Sequence, residues 1–289
     1  MEIQQLAVVS GKGGTGKTSI LAAFAALAKR KVLADCDVDA PDLHLILKPE
    51  ILRKEEFRGS KVAVVDKQKC TACEKCEEFC RCDAIKEGNV NEILCEGCGV
   101  CALVCPTEAI TLREKVSGYV FLSKTKYGFM SHAVLNAAEE NSGKLVTLVR
   151  QNALSVAEQE ACPLVLIDGA PGVGCPVIST LSGVSVALIV TEPTLSGLHD
   201  LKRILQLVRH FGITPLVCIN KYDLNDEISE EIESYCATKG VEVVGRIPYD
   251  AAVMRAVAAG TPVVEFSPRS AAAVEMKRTW TGVRAVLRL

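Results

Sequence analysis

Short apolar runs, each closed by a glycine-rich or acidic stretch, recur along the chain. Gln4–Val9 reads as a buried strand and gives way to Ser10-Gly11-Lys12-Gly13-Gly14-Thr15-Gly16-Lys17-Thr18, after which Ser19–Lys29 reads as a helix. Val32-Leu33-Ala34 is a second run, ending on three alternating acids, Asp35, Asp37 and Asp39. Pro163–Ile167 closes on Asp168-Gly169-Ala170-Pro171-Gly172, and Leu216–Ile219 closes on Asn220-Lys221-Tyr222-Asp223. Met276, Trp280, Val283 and Leu287 recur at helical spacing, with Lys277, Arg278, Arg284 and Arg288 forming a basic side. Alternating strands and helices of this kind predict an α/β fold: a mostly parallel, doubly wound sheet with helices on both faces.

No apolar run approaches the roughly 20 residues of a membrane-spanning helix. Because Met1–Val9 already reads as structure and leads straight into the glycine turn, no signal peptide is expected, and a cytoplasmic location is. Hydrophobic residues at 49% and charged residues at 24% fit a globular chain, and 289 residues allow one large domain or two modest ones. A formal net charge of -2 provides no whole-molecule field for nucleic acid, which is not expected as a partner. Fourteen cysteines in a chain neither small nor visibly secreted point to metal rather than disulfides.

Eight cysteines fall into two sets, Cys70, Cys73, Cys76 and Cys80, then Cys95, Cys98, Cys101 and Cys105, each spaced CxxCxxCxxxC. The second set follows 25 residues after the first at every position, and Ala84-Ile85 recurs as Ala109-Ile110: an internal duplication. Three thiolates on a tight loop can cap three irons of a cubane while the fourth points to the neighbouring cluster. By that rule one [4Fe-4S] cluster takes Cys70, Cys73, Cys76 and Cys105, and the other takes Cys95, Cys98, Cys101 and Cys80. The stretch resembles bacterial two-cluster ferredoxins. A zinc module is the bland alternative, but zinc sites group cysteines in pairs. Pro106 follows the second set, whereas the first has Arg81 there and an additional thiol, Cys82. Cys82 is a spare, a competitor of Cys80, or a ligand to an extra metal.

Strand, glycine loop and helix in that order form a phosphate cradle. Backbone N–H groups of Gly11–Ser19 can wrap a β-phosphate, Lys17 can charge-pair with β/γ oxygens, and the Thr18 hydroxyl can ligate Mg²⁺. With Lys12 the loop reads KGGxGKT and resembles the deviant Walker A motif of the MinD, ParA, Mrp and nitrogenase iron-protein superfamily. That resemblance implies an ATP-dependent dimer in which Lys12 reaches the partner's phosphates. It also implies that Asp37 orients the attacking water, that Asp35 ends its strand near Mg²⁺, and that Asp168 holds Mg²⁺ through water. Asp39 is equally suited to capping a helix. Asn220-Lys221-Tyr222-Asp223 also matches the guanine motif NKxD of GTPases, but beside Lys12 the resemblance favours ATP, with Asn220 at the adenine and Pro248-Tyr249 closing over it.

The cysteine repeat lies between the first acidic switch and the second. The domain reading is therefore a P-loop ATPase in two parts, 1–59 and 116–289, around an inserted two-cluster ferredoxin-like α+β module, 60–115. The order is similar to MinD-superfamily ATPases with an inserted ferredoxin domain. The implied function is an ATPase whose nucleotide state gates electron transfer or metal-cofactor delivery. Its partner would be a second copy or a related ATPase, with a redox or metal-cofactor accessory protein beyond. The alternative is a MinD-like positioning protein with structural or redox-sensing clusters, for which the basic C-terminal helix is the cue; ordinary packing of a last helix is the simpler expectation. Cys36 and Cys175, each in a switch segment, could meet across a dimer; the remaining cysteines and His44, His132, His199 and His210 read as core or surface.

Overall fold

The computed structural model describes residues 3–139 and 141–288. It divides into two compact units, Met1–Lys54 with Val120–Val134 and Ser142–Leu289, and Glu55–Tyr119 with Leu135–Asn141.

The larger unit is built on a nine-stranded sheet. Its strands are β1 (Gln4–Ser10), β2 (Lys31–Asp35), β3 (Glu50–Phe57), β4 (Gly118–Thr125), β5 (Gly128–Leu135), β6 (Leu164–Pro171), β7 (Val186–Thr191), β8 (Thr214–Asn220) and β9 (Glu242–Ile247). They lie in the order β9-β8-β7-β1-β6-β2-β5-β4-β3. From β9 through β5 every neighbouring pair is parallel, with Leu6 opposite Leu166 and Val186. The central strands are apolar along their whole length because helices cover both faces: all five residues of β2 and all six of β7 are buried. In such a sheet ligands bind beyond the carboxyl ends of the strands, and here those ends bring Ser10, Asp35, Asp168, Thr191 and Asn220 to one edge.

Helix α1 (Lys17–Leu27) follows β1 directly. Its Ala22, Ala23 and Ala25 are wholly buried; their small side chains let the helix lie close to its neighbours. Phe24 meets Trp280 of the C-terminal helix with ring centroids 5.0 Å apart. On that helix (Ala271–Leu287) Met276, Trp280, Val283 and Leu287 are all buried in the main core. Its apolar stripe is thus ordinary packing, and the cue for a membrane-surface helix is gone. No described helix is long and apolar enough to cross a membrane. Helix α2 (Ser142–Gln159) carries the buried Arg150, whose guanidinium donates to the carbonyls of Ser179 and Ser182 at 2.8 and 2.5 Å and to Gln5 Oε1 at 2.6 Å. A cation at the carboxyl end of α3 (Cys175–Leu181) suits the helix dipole and pins the helix that leaves the Asp168 loop.

The smaller unit has little to bury. Ser60–Val65 pairs antiparallel with Ile110–Lys115, Ile85–Lys86 pairs with Asn89–Val90, and Ala63, Ile85, Cys101 and Ile110 form its central apolar cluster, with Val62, Ala84 and Ala109 also buried. The duplication is visible in the backbone. Ala72 and Gly97, Glu74 and Gly99, and Asp83 and Glu108 all take positive φ at the same offset, and the short helices Lys75–Glu78 and Val100–Val104 occupy equivalent places. At its base Lys115 pairs with Glu139 at 2.6 Å, Ser60 donates to Glu139 at 2.7 Å, and Asn136 donates to the Val116 carbonyl at 3.0 Å, which ties Leu135–Asn141 to this unit.

Candidate functional site

In the larger unit the loop after β1 reaches α1 through Gly14 (φ 78) and Gly16 (φ 90), backbone that side-chain-bearing residues rarely adopt. At Gly16 space is also decisive, since a Cβ there would stand 2.3 Å from Asn220 Nδ2. Gly16 caps α1 with no side-chain hydrogen bond, which leaves the first N–H groups of the helix free for an anion.

Lys17, at the first position of α1, is buried and pairs with Asp37 at 3.0 Å. Burial works against its charge, but the fields of Asp168, Asp37 and Asp35 outweigh it, and its pKa is raised. Asp35 accepts the Asp37 amide at 3.1 Å through Oδ1, while its Oδ2 is buried without a partner. Both oxygens of Asp168 are buried and unpartnered as well. Burial, reinforced by neighbouring carboxylates, lifts both pKa values. The Thr18 hydroxyl lies beside Asp168 and eases its charge, short of full hydrogen-bond geometry. Buried acceptors without donors demand an explanation. Thr18, Asp35 and Asp168 form an oxygen-only donor set beside a cationic lysine, which fits Mg²⁺ accompanying a polyphosphate.

Lys12 turns away from this cluster. Its ammonium pairs with Glu192 at 2.7 Å and donates to Ser196 and Thr194 at 3.1 and 3.3 Å. Lys221 shares the same carboxylate at 3.2 Å and donates to the Gly14 carbonyl at 3.2 Å. Burial disfavours the Glu192 charge, but the two ammonium groups prevail and lower its pKa. Thr194 also caps α4 (Leu195–His210), accepting the Gly197 amide at 2.9 Å. Asn220 donates its amide to the Thr15 carbonyl at 2.7 Å and braces the cradle. Asp223 accepts the Tyr249 amide at 2.7 Å, holding Pro248-Tyr249 beyond β9 with the Tyr249 ring exposed. Ser19 lines a small crevice with Ile46 and Val253. The structure thus joins Lys17, Thr18, Asp37 and Asp168, places Lys12 on another partner, and adds Glu192, Thr194 and Ser196. Their only sequence signal was the string Thr191-Glu192-Pro193-Thr194, an apolar strand closing on an acid and a helix cap.

In the smaller unit Cys70, Cys73, Cys76 and Cys105 line one cavity, and Cys80, Cys95, Cys98 and Cys101 line another together with Cys82. The fourth thiol of each motif therefore lies with the first three of the other. All fourteen cysteines are free. Among the described residues no three His, Cys, Asp or Glu side chains converge as for a single metal ion; the thiols ring their cavities, as a cubane with one thiolate per iron requires. The Ala84 and Ala109 amides donate to the sulfurs of Cys80 and Cys105, each at 3.3 Å. At Cys105 burial opposes ionisation, but the Ala109, Thr107 and Ile110 amides and the Thr107 hydroxyl outweigh it and lower the thiol pKa, which favours the thiolate a metal needs.

A parallel sheet whose central strand feeds a glycine loop, a lysine and a helix, facing buried acids on two neighbouring strands, defines a P-loop nucleotide-binding protein. The family model for the CobQ/CobB/MinD/ParA nucleotide binding domain matches residues 6–263, and the chain belongs to that family. It is 36% identical to an uncharacterized protein of Methanocaldococcus jannaschii over 231 residues, covering 78% of this chain and 80% of the relative. A 53-residue stretch is 45% identical to the pyruvate synthase subunit PorD of Methanothermobacter marburgensis, covering 18% of this chain and 65% of that protein. The fold is similar to the septum site-determining protein MinD of Pyrococcus horikoshii, solved with Mg-ADP (TM-score 0.59, 18% identity, covering 97% of this chain and 96% of that one).

Proposed function

We propose that this chain binds and hydrolyses ATP as a dimer and couples its nucleotide state to electron transfer or metal-cofactor delivery through two [4Fe-4S] clusters. The observation that carries the reading is the coexistence, in one chain, of a phosphate cradle with unpartnered buried carboxylates and two thiol-lined cavities, each holding one of the crossed sets of four cysteines.

In this reading Thr18 and Asp168 would hold Mg²⁺, which would supply positive charge to the triphosphate. Lys17 exchanges Asp37 for phosphate oxygens. Asp37, released from that pair, is free to orient the water that displaces ADP from the γ-phosphorus. Phosphoryl transfer needs little covalent help from protein, so positioned charge and water suffice. Lys12 leaves Glu192 and reaches the phosphates of the partner chain, which makes dimerisation depend on the triphosphate. The cysteine sets Cys70/Cys73/Cys76/Cys105 and Cys80/Cys95/Cys98/Cys101 hold the clusters, which supply one-electron chemistry. Support for a redox or cofactor-handling partner comes from the thiol sets and from the stretch shared with a pyruvate synthase subunit.

The test is anaerobic purification with iron, sulfide and ATPase assays. The reading expects about eight irons per chain, as two cubanes require, and slow Mg²⁺-dependent ATP hydrolysis. Preparations with zinc in place of iron, or with no nucleotide affinity, would refute it.

A further inference from the structure

One thiol at the second cavity is outside both ligand sets. Cys82 precedes Thr107 by the 25 residues of the internal repeat, so the two are equivalent positions. The turns that carry them match in detail. Asp83 and Glu108 both have φ 49, the Asp83 and Glu108 amides donate to the Cys80 and Cys105 carbonyls at 3.1 and 3.3 Å, and the Ala84 and Ala109 amides donate to the sulfurs of the same two cysteines. The Thr107 hydroxyl stands 3.7 Å from Cys105 Sγ and lines the first cavity. Cys82 correspondingly lines the second cavity with Cys80. The repeat has thus placed a metal-ligating sulfur where its twin carries a hydroxyl. It has also relaxed the turn that holds it, because Pro106, with φ fixed by its ring, is matched in the first copy by Arg81.

We infer that Cys82 is an exchangeable ligand of the cluster in the second cavity, able to take the iron position of Cys80. The inference rests on the proposal that the cavities hold clusters. In the exchange the iron–sulfur bond to Cys80 breaks and one to Cys82 forms. The Cys82 thiol proton ends on the Cys80 sulfur, and no electron changes hands. The Ala84 amide is directed at Cys80 and not at Cys82, so the two ligation states differ in hydrogen bonding to the ligand sulfur and hence in reduction potential. The first cavity, with Thr107 at the equivalent place, has a single state.

The test uses full-length protein purified without oxygen, with iron and sulfide counts and the electron paramagnetic resonance spectrum of the reduced protein. Wild type should hold about eight irons; if it holds none, the cluster reading fails before Cys82 is at issue. Cys95→Ala should lose about half of the iron. Cys80→Ala should retain wild-type iron with an altered signal from one cluster, and Cys80→Ala/Cys82→Ala should fall to the Cys95→Ala level. Equal iron loss in Cys80→Ala and the double variant would overturn the inference. Should Cys80→Ala not fold, the twin site decides: Cys105→Ala should lose half of the iron, and adding Thr107→Cys should restore it. Failure of that rescue would count against Cys82 equally.

Discussion

The two units of this chain reach order by different means. The larger one buries a continuous apolar sheet under helices, and its functional groups sit on the ends of rigid strands. Among its described residues the smaller one has only a small apolar cluster around Ala63, Ile85, Cys101 and Ile110, no long helix and a series of positive-φ turns. So small a core does not by itself offset the conformational entropy of a segment this long, and such modules depend on metal or another staple. The nucleotide cradle is therefore a site that folding builds, whereas the thiol cavities belong to a unit that ligand binding would complete.

The sharpest way to break this contrast is to remove iron. In apo protein the segment Glu55–Tyr119 should lose its protection from protease outright, while the larger unit keeps a cooperative melt; a protected apo segment would show the small core to be sufficient. Lys17→Ala should lower the hydrolysis rate by about 10²–10³-fold, the range for removing one preorganised charge-stabilising donor, with iron content unchanged. Phe24→Ala should destabilise the larger unit by about 3–5 kcal/mol, read as a lower denaturation midpoint, and again leave the iron count alone.

A pH series adds a finer test. His132 is buried, shares a hydrogen bond of 2.9 Å with Ser123 and stacks on Phe121. Burial, with a smaller contribution from His44, lowers its pKa from 6.5 to about 4. Its neutral form is thus favoured by the folded state. The stability it contributes is complete above about pH 6.5 and is lost as pH falls toward 4, by roughly 3 kcal/mol at most. Urea midpoints between pH 7.5 and 4 should drop for wild type and flatten for His132→Gln; parallel slopes would remove His132 as the cause. The smallest effect is expected from Glu192→Ala. Loss of a partly exposed pair costs about 1 kcal/mol or less, but Lys12 is freed, and the ATP concentration needed for dimerisation should fall.

Much of this contrast was already readable in the chain. Apolar runs closing on Gly11–Thr18, Asp35 and Asp168 carry the parallel sheet and its carboxyl-end cradle, because strands buried on both faces leave little room for polar residues. The CxxCxxCxxxC spacing carries the crossed grouping of thiols, because a tight loop cannot turn all four inward. What escaped was contact between distant residues. Nothing local marks Glu192 as the counter-ion of both Lys12 and Lys221, or turns Asn220 toward the Thr15 carbonyl. The return of Leu135–Asn141 to the smaller unit depends on Glu139 finding Lys115 and Ser60, pairings invisible until both strands are placed. The basic C-terminal helix shows the reverse failing: its apolar stripe is compatible with a lipid surface or a protein core, and only packing against Phe24 resolves the choice.

The central claim is coupling between the two units, and it is tested most directly by following reduction of the clusters in anaerobically purified protein with and without Mg-ATP. The account predicts full iron occupancy and a reduction rate that changes on ATP addition, with the change abolished in Lys17→Ala. Full iron, intact ATP binding and identical rates under both conditions would contradict it.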